Sequence, residues 1–252
     1  MTARDARFIS PQRRISEVCG GGVQYIPGHV EPFVDGVIEL LRVSGDRAEI
    51  LEIGGGGLRF ATAATAIKVV TTLSVVEPDY ASLGPDQALA GLPDAEAAKE
   101  RLRAKCLFYI MSEERFFARL AREVLYDVVA SFRVFHFLDE AGWERVISQV
   151  ATHLRPGGLF IFSGLSPVDQ DSGEEAPLYR GSLPVGDDPD YRELDTASEP
   201  VAQAMALQNL PGRMRFFPAD STIARLNAVG FSLVYGPMRS TRMVHGFVFR
   251  KN

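Results

Sequence analysis

The densest chemical signal in the chain is Leu51-Glu52-Ile53-Gly54-Gly55-Gly56-Gly57-Leu58, an apolar run that passes through an acid into four successive glycines. Glycines after a buried strand let the backbone turn sharply and approach a ligand with no Cβ in the way. The helix expected after them offers unpaired N–H groups and the positive end of its dipole. Glu77 follows twenty residues after Gly57, at the end of the next apolar run. A carboxylate in that place can accept hydrogen bonds from both hydroxyls of a ribose. Together the two features point to a ligand containing an adenosine ribose.

The glycines do not complete a dinucleotide fingerprint. Read as G-x-G-x-x-G from Gly54, the third glycine position holds Arg59; read from Gly55, it holds Phe60. No Gly-Lys-Ser/Thr follows, so a phosphate-cradling P-loop is absent too. Glu52 just ahead of the turn would repel a pyrophosphate, whereas it suits a ligand that carries an ammonium group.

The elements that must position these residues alternate between strand and helix, the pattern of a parallel sheet covered on both faces. The spacing predicts strands over Ala48–Ile53, Val69–Val76, Cys106–Met111, Tyr126–Phe132 and Leu159–Ser163. Helices are predicted over Pro32–Arg42, Phe60–Ile67, Ala95–Ala104 and from near Asp139 to Leu154. A further helical face carries Phe116, Phe117, Leu120, Ala121 and Val124. Arg155-Pro156-Gly157-Gly158 should stop the helix that begins near Asp139. Asp220 is the expected N-cap of a late helix ended by Gly230. Two closing strands, Phe231–Tyr235 and Val244–Arg250, are expected to pair antiparallel. Between these regions a proline-studded stretch reads as loops, with one helix near Val201–Gln208.

Glu52-x-Gly54-x-Gly56 resembles the first motif of class I S-adenosylmethionine-dependent methyltransferases, and Glu77 resembles their ribose-binding acid. Tyr126-Asp127-Val128-Val129 is similar to the family's fourth-strand motif, and Leu154-Arg155-Pro156-Gly157-Gly158 to the turn before its fifth strand. Ala228 to Phe231, followed by two strands, is similar to its C-terminal end. Leu58 departs from the family, which usually has a third glycine there; Gly57 is the extra glycine.

The resemblance implies an α/β, Rossmann-like, seven-stranded and mostly parallel sheet, with an N-terminal helical segment and an acidic insertion. It implies one domain: 1–45 as N-terminal segment, 46–164 as cofactor-binding core, 165–218 as the insertion and possible substrate lid, and 219–252 as helix and strand pair. It implies S-adenosyl-L-methionine as cofactor. Gly54, Gly55, Gly56 and Gly57 would lie along its methionine part with Glu52 near the amino group, and Glu77 on the ribose. Pro78, Asp79, Met111, Ser112 and Glu113 would lie about the adenine, and Ser131 and Phe132 beside the sulfonium methyl. His136, five residues past Ser131, is the candidate general base; Tyr25 and His29 are secondary ones.

Composition narrows the partners. The chain has 252 residues, 46% hydrophobic and 23% charged, with a net charge of -5. From Ser166 to Glu199 it carries ten acids against Arg180 and Arg192, so that segment holds -8 and the remainder +3. A net-acidic chain with no long basic stripe matches a phosphate backbone poorly. No apolar stretch approaches the ~20 residues of a membrane helix, and Met1 to Arg14 lacks a signal-peptide core. Cys19 and Cys106 make no disulfide framework or CxxC metal pair. The expectation is a cytoplasmic enzyme that methylates a small-molecule acceptor. The competing readings are a cofactor-binding module without catalysis and a nicotinamide-dependent oxidoreductase.

Overall fold

The computed structural model describes residues 41, 45–56, 58–79, 95–208, 210–241 and 243–252. The expected Pro32–Arg42 helix, Tyr25, His29 and Gly57 lie outside these, apart from the helical and fully buried Leu41. In chain order the described elements are β1 (Ala48–Ile53), α1 (Arg59–Thr65), β2 (Val70–Val76), α2 (Ala95–Lys105), β3 (Cys106–Tyr109), α3 (Glu113–Arg119) and β4 (Tyr126–Phe132). A 3-10 turn at Phe135–Phe137 leads to α4 (Glu140–His153) and β5 (Leu154–Leu165). Then come β6 (Leu183–Val185), β7 (Asp188–Glu193), α5 (Glu199–Gln208), β8 (Arg213–Arg215), α6 (Ala219–Ala228), β9 (Phe231–Thr241) and β10 (Val244–Lys251).

Strands buried on both faces read as apolar runs rather than as alternation. β1, β2 and β4 have that character, and they form the middle of a seven-stranded sheet ordered β3-β2-β1-β4-β5-β10-β9. The first five strands run parallel, and β10 is antiparallel to both β5 and β9. One face buries Ile50, Val75, Val128 and Ile161 under α1 and α2; the other buries Leu51, Val129, Phe160 and Phe162 with Trp143 of α4 and Phe116 of α3. Chain order reverses between β1 and β4, and crevices for ligands open at such a switch point, outside the C-terminal strand ends.

α4 begins where its cap residue falls, with the Asp139 carboxylate accepting the Gly142 N–H at 2.7 Å. It ends at His153 and runs directly into β5, which starts five residues before the predicted Leu159. Other boundaries differ as well. β3 stops at Tyr109 instead of Met111, and α3 stops at Arg119, leaving Leu120 extended and Val124 exposed. α6 starts after Pro218 with no side-chain cap; Asp220 sits inside its first turn, where an acid still meets the positive helix end.

The proline-rich insertion is not a run of loops. β6, β7 and β8 make a three-stranded antiparallel sheet that, with α5, packs Leu178, Leu194, Val201, Met214 and Phe216 against Leu165 and Val244 of the main sheet. Its strands are too short for an alternation to show, and Pro189 escapes the usual ban on proline by lying where β7 has no registered partner. Asp188 fastens this sheet to the core. Its carboxylate is ion-paired with Arg215, also fully buried, and with Arg225 of α6 at 3.1 Å; Arg225 reaches Glu144 of α4 at 3.1 Å. Arg215 Nε also donates to the Leu138 carbonyl at 3.3 Å, gripping the end of the 3-10 turn. No helix among the described residues is long and apolar enough to cross a membrane.

Removing one partner of a buried ion pair strands the other. Asp188→Ala should lower the unfolding free energy by about 3–5 kcal/mol in urea titrations. A loss below about 1 kcal/mol would show that the insertion is held mainly by its apolar contacts.

Candidate functional site

At the C-terminal end of β1 the chain turns back over β2. The Gly54 N–H donates to the Val76 carbonyl at 2.7 Å, and Gly55 N–H reaches the same oxygen at 3.4 Å. Gly54 has φ +76°, and a Cβ built on it would lie 2.1 Å from Val134 Cγ2, so the loop leaving β4 occupies the space a side chain would need. Gly56, at φ +43°, has open space where a Cβ would stand. Leu58 is also left-handed, at φ 54°, in the position where the resemblance led one to expect glycine. That conformation costs a leucine roughly 1–2 kcal/mol, and complete burial of its side chain in the core offsets it.

Glu77 does more than end a strand. Its carboxylate accepts the Gly56 N–H at 2.9 Å on one oxygen and the Asp79 N–H at 3.1 Å on the other. Its own N–H donates to the Tyr109 carbonyl at 3.1 Å. One side chain thus fixes the glycine turn, the end of β2 and the start of the following loop relative to one another. Each carboxylate oxygen keeps a second lone pair for a ligand.

Glu52, near the end of β1, is buried against α1. The Ala61 N–H stabilises its charged form, yet burial and the nearby Glu77 together hold its carboxyl well above the usual carboxylate range. Its Oε2 has no hydrogen-bond partner among the described residues. The N–H expected to be free at the start of α1 is therefore engaged by Glu52. A buried carboxyl with an orphaned oxygen has room for one donor, and a cationic donor would favour ionisation.

The remaining predicted residues are spread around this centre. Ser131 is fully buried and its hydroxyl donates to the Ile53 carbonyl at 2.9 Å, bracing β4 against β1. The Phe132 ring packs 5.0 Å from that of Phe60. Pro78 and Asp79 are exposed, while Met111, Ser112 and Glu113 are half-buried. Ser112 is the N-cap of α3 and accepts the Arg115 N–H at 3.4 Å. His136 is buried on the 3-10 turn with Nδ1 unpartnered among the described residues; burial, helped by Arg133, pushes its pKa down to about 3. The imidazole is neutral and resists protonation. His245, on β10, is likewise pushed down by burial to about 4. His153 is tied by Nδ1 to the Val124 carbonyl at 2.9 Å. Sequence reasoning missed Val134, whose contact with Gly54 has no signature in a chain read residue by residue. Among the described residues no group of His, Cys, Asp and Glu is arranged to hold a metal ion.

Strand order, glycine turn and paired acids define the architecture of the class I methyltransferases. A family model described as "Methyltransferase domain" matches residues 29–235. The chain belongs to this family: it is an S-adenosylmethionine-dependent methyltransferase, with S-adenosyl-L-methionine as cofactor. Solved structures with the same fold include the glycopeptide N-methyltransferase MtfA complexed with S-adenosyl-L-homocysteine (18% identity, 88% of this chain and 91% of that one, TM-score 0.56). An S-adenosylmethionine-dependent methyltransferase from Clostridium acetobutylicum (11% identity, 87% and 91%, TM-score 0.55) is similar. So is the CcbJ methyltransferase from Streptomyces caelestis (20% identity, 87% and 96%, TM-score 0.52). Comparison with curated proteins gave no match.

Two outcomes follow from this geometry. Gly54→Ala combines a left-handed φ with a clash on Val134, so it should cost about 1–3 kcal/mol in urea unfolding. A loss of only about 1 kcal/mol, the left-handed strain alone, would mean that Val134 has space to retreat. The histidines make stability pH-dependent. The unfolded chain takes up their protons below the ordinary value of about 6.5, whereas the folded one does so only near 3 and 4. Their contribution is intact above pH ~6.5 and is lost on acidification, at up to ~1.4 kcal/mol per pH unit for each histidine. Glu52, whose carboxyl is held high by burial, takes up a proton in the folded state over this range and opposes the histidines. The urea midpoint should therefore fall only moderately between pH 7 and pH 5, and His136→Gln should remove at least half of that fall. An unchanged slope would show that His136 titrates normally.

Proposed function

We propose that this enzyme transfers the methyl group of S-adenosyl-L-methionine to a small-molecule acceptor. The observation that carries the site assignment is the orphaned, buried Glu52 oxygen beside a glycine turn braced by Glu77. The donor set fits the cofactor: an anionic acceptor for an ammonium, a carboxylate with free lone pairs for two hydroxyls, and open space at Gly56. In this reading Gly54, Gly55, Gly56 and Gly57 lie along the methionine portion and Glu52 receives its ammonium. Glu77 receives the ribose hydroxyls. Pro78, Asp79, Met111, Ser112 and Glu113 surround the adenine, and Ser131 and Phe132 close the end nearest the methyl.

When bound, the cofactor supplies an activated sulfonium methyl, and the protein's work is to align, desolvate and hold the partners at near-attack distance. Ser131 and Val134 set how closely the β4 end approaches the glycine turn. His136, our candidate base, presents a neutral imidazole; with its depressed pKa it acts by accepting a hydrogen bond from a protic acceptor rather than by storing its proton.

The unit 46–164 with 219–252 forms the cofactor-binding body, and the insertion 165–218 forms a fixed cover on the acceptor side. Arg215 supports this by joining the insertion to the turn that bears His136. The acids of the insertion are partly consumed by its own arginines, as in Arg213–Glu193 and Asp188–Arg215, so they argue for structure rather than for a cationic acceptor. The buried free thiol of Cys106 suits a reducing compartment, and we place the enzyme in the cytoplasm.

Thermal unfolding with S-adenosylhomocysteine, and separately with NADH, tests the reading. A ligand at about 100 times its Kd adds roughly 2.7 kcal/mol, a rise of about 5–10 °C for a chain of this length. The rise is expected with S-adenosylhomocysteine alone; a response to NADH alone would overturn the assignment. Glu77→Gln should weaken S-adenosylhomocysteine binding about tenfold or more, since it removes charge-assisted bonds to the ribose and keeps only one of the two acceptors that hold the Gly56 and Asp79 N–H groups. Glu52→Gln should weaken binding too, yet raise the stability of the free protein at pH 7, because a carboxyl with a raised folded pKa costs stability once the pH passes its unfolded value. Unchanged affinity in both variants would sink the site.

A further inference from the structure

The seven-stranded sheet has two edges, and they are built differently. The β9 edge carries Gly236 and Pro237, and its pairing with β10 is interrupted by register shifts. Such irregularities keep an edge from templating another strand. The β3 edge has none of them. Cys106-Leu107-Phe108-Tyr109-Ile110 holds neither charge nor proline, and Leu107, Phe108 and Ile110 are 51%, 41% and 42% exposed. Its inner side pairs with β2, and its outer side pairs with no strand among the described residues.

We infer that the β3 edge is where two copies of this chain join, their sheets continuing into one another through antiparallel β3 strands about a two-fold axis. A second copy is the occupant that the charges on the adjoining helix favour. α2 lies on the face of the sheet beside β3, with exposed Glu96 in its first turn and exposed Arg103 in its last. These two are seven residues apart and so share one helical face with Lys99 and Glu100, and Arg103 also pairs with Glu100 of its own helix at 2.8 Å. An antiparallel β3 pair sets α2 antiparallel to the partner's α2 on the same side of the joined sheet. Glu96 of each copy then faces Arg103 of the other. A two-fold contact must be self-complementary in this sense. The apolar edge and the opposed helix charges satisfy that condition together.

Sedimentation equilibrium of the full chain across the micromolar range tests this. The expected mass is twice the 27.6 kDa of one chain. Leu107→Lys and Phe108→Lys, both at exposed positions, should raise the dissociation constant about tenfold or more while far-UV circular dichroism and the thermal midpoint of the dissociated protein stay those of a folded chain. Glu96→Arg and Arg103→Glu should each weaken the dimer, and the double variant should recover it. A monomeric mass throughout the range, or a dimer indifferent to lysine at both edge positions, would overturn the inference. A double variant no better than the singles would overturn the antiparallel arrangement.

Discussion

Two backbone N–H groups from different segments, those of Gly56 and Asp79, converge on the carboxylate of Glu77. Without an acceptor there, the glycine turn would leave the half-buried Gly56 N–H with no protein partner at the sheet's end. With it, the turn after β1 and the loop after β2 become one rigid piece. Val134 closes that piece from the β4 side, and Ser131 binds β4 to the Ile53 carbonyl at the root of the turn. The geometry of the site is therefore a property of three strand ends held to a common frame, rather than of the glycines alone.

Polar burial is handled in opposite ways in two parts of the molecule. Around Asp188 the partners are complete: two guanidinium groups, one from β8 and one from α6, share its carboxylate. At Glu52, just ahead of the glycine turn, and at His136, on the 3-10 turn after β4, they are incomplete, each keeping an unpartnered atom away from water, as Thr62, Ser163 and His245 do elsewhere. Native proteins rarely leave such atoms without a reason, and sites that bind ligands are where the exceptions gather.

The insertion shows how a segment can hide its architecture. Its strands are three to six residues long, two of them carry prolines, Pro184 on the edge strand β6 and Pro189 where β7 has no registered partner, and its core is built from side chains separated by long stretches of chain. Neither period 2 nor period 3.6 survives in such a segment. The start of α6 is hidden for a related reason, because Asp220 is a good N-cap residue in isolation but Pro218 already sets the entry of the helix. Leu58 is the reverse case. Its type argues against a left-handed backbone, and only the core that receives its side chain explains why leucine stands there.

Local chemistry in the sequence alone determined β1, β4, the glycine turn and the acid at the end of β2, since apolar runs, glycines and strand-end carboxylates act over a few neighbouring residues. Asp139 and the helix it caps belong to the same class, and so does the family those motifs identify. The tertiary structure decided what depends on residues distant in the chain: that Glu77 closes on Gly56, that Val134 requires Gly54 to lack a side chain, that Glu52 is left with an unanswered oxygen, and that Asp188 docks the insertion beside His136. Burial and electrostatics arise from the sum of surrounding atoms, and that sum exists only after the chain has folded.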